Sequence, residues 1–152
     1  MWQRDREYFV IAYTDGSTHI HNPGPISWAV VYVDQSVIVH EDSGALWEGT
    51  NNRAELMGVI WAMERCPFHT DLLIRSDSTY VVNIAKGLWN ARSNLYLWQR
   101  FHEAKALRKK KGLKTAFSYV RGHFDDEYNK RADCLAKLAA KRAAECLVEM
   151  SV

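Results

Sequence analysis

The sequence lacks any long apolar run. Its uninterrupted apolar stretches fall far short of the ~18 residues that a membrane helix needs. Its first five residues, Met-Trp-Gln-Arg-Asp, also lack the apolar core of a signal peptide. These two absences argue against a membrane-spanning or secreted protein and predict a cytoplasmic one.

The sequence is also poor in cysteine and in net charge. Cys66, Cys134 and Cys146 are odd in number, far apart and without a Cys-x-x-Cys pair, so they indicate neither a disulfide framework nor a zinc site. We expect reduced, packed thiols instead. A net charge of +2 is too small to predict a nucleic-acid partner by itself.

The composition fits one globular domain. A chain of 152 residues with 47% hydrophobic and 25% charged residues can bury most of its apolar surface in a single core. Because no internal repeat or linker interrupts the sequence, we expect one domain over residues 1–152.

Three strand-like segments open the chain. Residues 8–14 are aromatic and branched without helical spacing, and they stop at Asp15-Gly16-Ser17, which predicts a buried strand with Asp15 at its carboxyl end. Residues 27–33 and 37–40 flank a short polar turn and predict a hairpin. The chain therefore opens with three antiparallel strands.

A helix is predicted from about Asn52 to Arg65. Thr50 or Asn51 can cap its beginning, and Pro67 ends it. Its apolar residues recur at helical spacing and are Leu56, Val59, Ile60 and Met63.

Strands and helices continue to alternate after this helix. The predicted elements are a strand over 72–76, a helix over 78–86, a helix over 95–111, a strand over 115–120 and a helix over 126–147. The residues expected to face inward on the last two helices are Leu95, Trp98, Phe101 and Leu107, then Leu135, Leu138, Ala139 and Ala143. This order predicts an α/β fold, a mixed sheet with helices on both faces.

Four carboxylates occupy corresponding places in these elements. Asp15 and Asp77 end strands, whereas Glu55 and Asp133 lie on helices. If neighbouring strands bring them together, the four charges repel one another by several kcal/mol, and hard divalent cations are the natural counter-charge. Two magnesium ions balance four acids, and such a pair is suited to the hydrolysis of a phosphodiester.

Each acid also has an ordinary structural interpretation when it is taken alone. An aspartate before Gly-Ser is commonly a turn former, which suits Asp15. Glu55 can be a first-turn acid favoured by the helix dipole, and Asp77 can cap a helix. A purely structural interpretation requires all of these independent explanations to hold at once, so the catalytic interpretation is favoured.

The sequence resembles the type 1 ribonuclease H family over about residues 7 to 145. The motifs that carry the resemblance are Tyr-Thr-Asp-Gly-Ser at 13–17, Thr-Asn-Asn-Arg-Ala-Glu-Leu at 50–56, Ser-Asp-Ser-x-Tyr-Val at 76–81, Gly-His at 122–123 and Asn-x-x-Ala-Asp at 129–133. The resemblance implies a five-stranded sheet of three antiparallel and then two parallel strands. It also implies an endoribonuclease that cuts the RNA strand of RNA/DNA hybrids and leaves 5′-phosphate and 3′-hydroxyl ends.

The resemblance assigns roles to individual residues. Asp15, Glu55, Asp77 and Asp133 become the ligands of two Mg²⁺ ions, for which Mn²⁺ is a possible substitute. His123 becomes a group that assists proton transfer or product departure, although a lone loop histidine is usually exposed and idle.

Substrate contacts carry over in the same way. Asn22, Thr50, Asn51 and Asn52 match positions that meet sugar 2′-hydroxyls or phosphates, and amides suit a 2′-hydroxyl because they donate and accept. Their alternative roles are capping and turn formation. Three further residues are placed to line the duplex groove, and they are Thr79, Tyr80 and Trp89. Trp89 could equally be a packing residue.

The chain departs from the family pattern in two places. Many cellular members insert a basic, tryptophan-rich protrusion before the Leu97-Trp98-Gln99 segment, and here only residues 87–96 stand there. The dense cationic run that could compensate consists of Arg108, Lys109, Lys110, Lys111 and Lys114, although lysines that close a helix are also ordinary dipole complements. Glu48 stands where a basic or neutral residue is expected to help a DNA-phosphate pocket.

The resulting hypothesis is a monomeric enzyme that binds and cuts RNA/DNA hybrids. We expect it neither to associate with a membrane nor to need an obligate protein partner. One alternative is a non-catalytic module for hybrids or double-stranded RNA, which has no reason to retain four acids. A second is a DNA-cutting relative, which the asparagine group disfavours. A third is a domain appended to a reverse transcriptase. We expect a free-standing enzyme instead.

Overall fold

The computed structural model describes residues 9–121 and 126–150, with side chains through residue 146. The strands are β1 (Phe9–Thr18), β2 (Gly24–Asp34), β3 (Val37–Gly49), β4 (Asp71–Ser76) and β5 (Thr115–Tyr119). The helices are α1 (Asn51–Glu64), α2 (Thr79–Ala85), α3 (Leu95–Lys110) and α4 (Glu127–Met150). None of the described helices has both the length and the apolarity needed to cross a membrane.

The five strands form one mixed sheet in the order β3-β2-β1-β4-β5. β1 pairs antiparallel with β2, and β2 pairs antiparallel with β3. On the other side, β1 pairs parallel with β4, and β4 pairs parallel with β5. The predicted architecture, three antiparallel strands followed by two parallel ones, is confirmed.

Helices pack on both faces of this sheet. The larger apolar cluster joins strand residues such as Trp28 and Ile74 to α1, α2 and α3, and it includes the fully buried Leu56 and Phe101. A smaller cluster on the other face joins Tyr13, Val31 and Val33 to Ala132 of α4. Burial of each large apolar side chain contributes roughly 1.5–3 kcal/mol, so these two layers hold the sheet in place.

The inward faces of α3 and α4 differ in part from the prediction. Leu95 and Leu107 are 61% and 54% exposed, and Leu138 is 41% exposed. The buried residues on α3 are Leu97, Trp98, Phe101, Ala104 and Arg108, and those on α4 include Ala132, Ala136 and Ala140. The prediction that Leu95, Leu107 and Leu138 face inward is therefore wrong. The fully buried apolar positions of α4 are small alanines, which let this helix lie close to the sheet.

The cysteines are also less packed than predicted. All three are unpaired thiols, as expected, and Cys66 is half-buried. Cys134 and Cys146 are exposed on α4, so the expectation of packing is wrong for them.

Candidate active site

Strand register brings Asp15 and Asp77 together. Thr14 of β1 pairs with Ser76 of β4, and β4 ends there. Asp77 is the next residue, so it leaves the sheet beside Asp15. Asp15 does not close its strand as predicted, because pairing with β2 continues as far as Thr18. Asp15 therefore lies inside a paired strand, where it is only 4% exposed.

Glu55 reaches the same place from the first turns of α1. The side chain of Thr50 caps this helix by accepting a hydrogen bond from the backbone N–H of Arg53 at 3.3 Å. The backbone N–H of Gly16 donates to the Glu55 carboxylate at 2.9 Å. A Cβ on Gly16 would lie 2.4 Å from the backbone nitrogen of Glu55, so glycine permits the close approach of strand and helix.

The carboxylates of Asp15, Glu55 and Asp77 form a compact cluster. One oxygen from each lies within 4.8 Å of the others, a spacing that can hold a metal ion. Asp133 of α4 lines the same cleft and pairs with Lys137 at 3.0 Å. The four acids predicted from the sequence are thus brought to one site.

Burial and mutual repulsion change the acidity of this cluster. Desolvation raises the pKa of Asp15, and the neighbouring Glu55, Asp133 and Asp77 raise it further. Desolvation, followed by the charge of Asp77, also raises the pKa of Glu55, whereas the Gly16 hydrogen bond lowers it. Holding all of these groups ionised therefore requires positive charge nearby.

Several predicted substrate residues surround the acids. A cleft of about 460 Å³ contains the cluster. Its lining includes the predicted residues Asn51, Asn52, Thr79 and Tyr80. The exposed Asn22 accepts a hydrogen bond from the backbone N–H of Asn51 at 3.1 Å, which fixes its loop against the beginning of α1. Asn22 and Thr50 thus have the structural roles of turn and cap, and their contact with substrate stays a prediction.

Trp89 lies beside the cleft rather than in its lining. It is 52% exposed and lines a separate hollow of about 420 Å³ together with Tyr80, a residue that also lines the cleft. Trp89 is therefore not a core residue, and Tyr80 connects its hollow to the acid cluster.

The cationic run Lys109 to Lys111 lies at the other end of the sheet. Lys114 donates its backbone N–H to Asp71, the first residue of β4, at 2.8 Å. Asp77 follows the last residue of this six-residue strand, and six residues of strand span about 20 Å. Contacts from this run would therefore be made far along a duplex from the acids.

His123 lies outside the described residues, so its predicted role stays a prediction.

Sequence reasoning missed Lys137, which lines the cleft. A hydrogen bond from Lys137 to Asp133 raises the pKa of this lysine and keeps it charged. The spacing of four residues on one helix was the signal that could have identified the pair.

A mixed sheet that gathers four acids where β1 and β4 run side by side defines the ribonuclease H-like class of folds and sites. The model of the RNase H family matches residues 7–141. The chain belongs to this family, and it is a ribonuclease H, a hydrolase.

Relatives and solved structures agree with this assignment. A ribonuclease H of Prosthecochloris aestuarii is 36% identical over 146 residues, which cover 87% of this chain and 95% of that protein. LC11-RNase H1 is an enzyme isolated from compost. Its crystal structure in complex with an RNA/DNA hybrid matches this chain with a TM-score of 0.76 and 27% identity, over 89% of this chain and 99% of that one. RNase H1 of Halobacterium salinarum NRC-1 has a TM-score of 0.73 and 30% identity, with 88% and 98% covered.

Proposed function

We propose that this ribonuclease H hydrolyses the RNA strand of RNA/DNA hybrids with two divalent cations, Mg²⁺ in the first instance, held by Asp15, Glu55, Asp77 and Asp133. The observation that carries the proposal is the approach of three carboxylate oxygens within 4.8 Å in a cleft that is open to solvent. The relative in complex with an RNA/DNA hybrid supports the choice of substrate.

The donor set fits hard cations. Its ligands are carboxylate oxygens alone, which Mg²⁺ and Mn²⁺ favour over softer metals. The raised pKa values of Asp15 and Glu55 point the same way, because a buried anionic cluster is costly until cations compensate it. Two ions bound there would supply an activated water and stabilise the leaving oxygen.

The residues of the chain then have distinct tasks. Thr50 and Gly16 fix the approach of Glu55, and the register of β1 with β4 fixes Asp15 beside Asp77. Water attacks phosphorus, the bond to the 3′ oxygen breaks, and a proton goes to that oxygen. The products are then a 5′-phosphate and a 3′-hydroxyl, with His123 as the candidate for proton transfer or product departure.

Asn51 and Asn52 are the candidates for substrate choice. Both are exposed and line the cleft at the beginning of α1, next to the acids. Amide groups can donate to and accept from a ribose 2′-hydroxyl, which a DNA strand lacks. We further propose that the chain acts as a single-domain monomer in the cytoplasm.

One assay tests the proposal. Labelled RNA/DNA, RNA/RNA and DNA/DNA duplexes are incubated with Mg²⁺ or EDTA, and the ends of the products are identified by gel. We expect cleavage of the RNA strand of the hybrid alone, only with Mg²⁺, and none by Asp77→Asn, which removes one ligand charge and little volume. Equal cleavage by this variant would falsify the metal assignment, and cleavage of the DNA duplex would favour the DNA-cutting alternative.

A further inference from the structure

Asp133 is the one acid of the site that α4 supplies, so its position depends on how α4 lies on the sheet. The fully buried apolar residues of this helix are the alanines Ala132, Ala136 and Ala140. Their methyl groups give non-directional apolar contact and have no long side chain to interdigitate with the sheet. Directional polar contacts should therefore decide where along the sheet, and at which rotation, α4 carries Asp133.

One such contact lies at the beginning of α4. The Asp126 carboxylate accepts hydrogen bonds from the backbone N–H groups of Tyr128 at 2.9 Å and Asn129 at 3.1 Å, so it caps the helix. Its other oxygen pairs with the guanidinium of Arg75 in β4, with 3.7 Å between Nη1 and Oδ2. Both side chains are partly buried, so salt screens this pair less than it screens a surface pair.

Arg75 is itself fixed by its neighbour in the sheet. In the parallel register of β1 and β4, Arg75 pairs with Tyr13. Its Nη1 donates to the Tyr13 hydroxyl at 3.5 Å, and its guanidinium lies 5.6 Å from the centroid of the ring. The buried Tyr13 ring also contacts the ring of Tyr128 in the first turn of α4, with the centroids 5.3 Å apart. The guanidinium therefore lies where β1, β4 and α4 meet.

This meeting point is connected to the acids on both sides. Tyr13 precedes Asp15 by two residues on β1, so both side chains lie on the face of the sheet that α4 covers. Asp133 follows Asp126 by seven residues, which is two turns or about 10 Å along α4. A displacement of the Asp126 cap would therefore be transmitted along the helix to Asp133.

We propose that Arg75 is a positioning residue for the metal site: by holding the Asp126 cap, it places α4 so that Asp133 meets the cations bound beside the strands. Asp133 needs such placement because its carboxylate is not one of the three whose oxygens lie within 4.8 Å of one another. This inference rests on the proposed function, in which Asp133 is a metal ligand. Arg75 acts only through Asp126 and α4.

The test measures binding of Mn²⁺ to the wild-type chain and its variants by electron paramagnetic resonance of the free ion. Arg75→Met keeps a long apolar side chain beside Tyr13 but removes the charge and the donors. We expect the dissociation constant to rise about 3- to 10-fold, at or below the lower end of the roughly 10- to 100-fold loss that direct partners of metal ligands cause. Arg100→Met is the matched control, because it breaks the ion pair of Arg100 with Glu64, at 2.6 and 2.8 Å, away from α4. It should bind Mn²⁺ as the wild type does.

Two further variants separate positioning from stability. Asp126→Asn keeps an oxygen that can cap α4 but loses the charge that pairs with Arg75, so it should weaken Mn²⁺ binding as much as Arg75→Met does. The double variant should bind no more weakly than either single variant, because the two side chains act as one unit. In an Asp133→Ala background, Arg75→Met should cause no further loss, since the ligand through which Arg75 acts is absent.

Wild-type Mn²⁺ affinity in either Arg75→Met or Asp126→Asn would overturn the proposal, and so would a loss that persists in the Asp133→Ala background. Thermal melting verifies that each variant is folded, and Asp126→Asn carries the test if Arg75→Met does not fold. A lower melting temperature with unchanged Mn²⁺ affinity would mean that Arg75 only stabilises the fold.

Hybrid cleavage and Mn²⁺ binding by the wild-type chain are measured separately. A wild-type chain that binds Mn²⁺ and cuts hybrids, beside variants of unchanged affinity, would refute this inference alone. A wild-type chain that binds no Mn²⁺ would refute the proposed function and this inference with it.

Discussion

The backbone N–H of Gly16 donates a 2.9 Å hydrogen bond to the carboxylate of Glu55, so the strand that carries one acid directly orients the next. The contact joins β1 to α1 across 39 residues of sequence. It also lowers the pKa of Glu55, against the larger effect of burial. The geometry of the site thus depends on a glycine that has no chemical role of its own.

Gly16→Ala should therefore damage both stability and activity. The added Cβ would lie 2.4 Å from the backbone of Ala54 and Glu55, and relief of this overlap must move α1 away from β1. We expect a loss of about 1–3 kcal/mol in the free energy of unfolding, as in other overpacked sites. Turnover should fall as Glu55 moves, and urea unfolding with a cleavage assay measures both.

Gly58→Ala is the matched control for this variant. A Cβ there would lie 3.4 to 3.5 Å from its neighbours, which is an ordinary contact. Gly58 is in the middle of α1, where alanine is favoured over glycine by roughly 0.5–1 kcal/mol. This variant should be neutral or more stable, and a Gly16→Ala enzyme that matches it would contradict the role of the close approach.

The acid cluster should make the metal-free enzyme sensitive to alkaline pH. The pKa of Glu55 is raised in the folded state, mainly by burial. A carboxyl of this kind stabilises the fold fully below its unfolded pKa of about 4.3, and this contribution is lost as the pH rises through the folded pKa. In EDTA, the melting temperature of the wild type should therefore fall relative to that of Glu55→Gln as the pH increases.

Magnesium should reverse this trend. Its ligands must be ionised, so binding releases protons and strengthens with pH. The rise in melting temperature that Mg²⁺ causes should be larger at pH 8 than at pH 6 and should shrink in Glu55→Gln, which keeps an oxygen acceptor for Gly16 but loses the charge. A Mg²⁺ effect that is equal at both pH values would count against cation binding by raised-pKa acids.

The fold was predictable where side-chain patterns are strong. The bounds of α1 were predicted to within about one residue, because a cap, a buried stripe and Pro67 all mark them. β3 was predicted over 37–40 but continues to Gly49. Most of the added residues are exposed at the sheet edge, where pairing of the backbone with β2 rather than side-chain burial makes the strand.

The site was predictable as a set of residues but not as a geometry. Motifs identified Asp15, Glu55 and Asp77, because each stands in a recognisable local context. Their approach depends on the register of Thr14 with Ser76, which is a tertiary property that no local pattern carries. The same limit applies to Lys109 to Lys111, since a dense run of charge does not reveal which end of the sheet it occupies.

His123→Ala should reduce turnover without abolishing it. Proton-transfer groups typically contribute roughly 100- to 10,000-fold, and a useful but dispensable one should lie in the lower part of this range or below it, at roughly 10- to 1000-fold. The carboxylate ligands would remain. We expect this loss in kcat, with unchanged stabilisation of the protein by Mg²⁺ in thermal melts. Wild-type turnover in the variant would assign His123 to the idle loop histidines.

Substrate choice should depend on contacts at the beginning of α1. Asn52 is exposed in the cleft beside Glu55, so its amide can meet a 2′-hydroxyl near the reacting phosphate. Asn52→Ala should lower kcat/KM for the hybrid about 10-fold, as expected for the loss of one or two hydrogen bonds worth ~1 kcal/mol each. Gln99→Ala, which removes an exposed amide from α3, is the control and should leave cleavage unchanged.

The same contacts predict how many ribonucleotides the enzyme requires. If several asparagines read successive 2′-hydroxyls, a duplex with one embedded ribonucleotide offers only part of the recognised surface and should be cut poorly, and an all-DNA duplex should stay intact. Cleavage rates on duplexes with one, two, four and eight consecutive ribonucleotides measure this directly. A steep rise with ribonucleotide number is expected for the wild type and a shallower one for Asn52→Ala. Efficient cutting at a single ribonucleotide would instead mean that one sugar suffices, as in a type 2 enzyme, and that Asn22 and Asn51 do not read further 2′-hydroxyls.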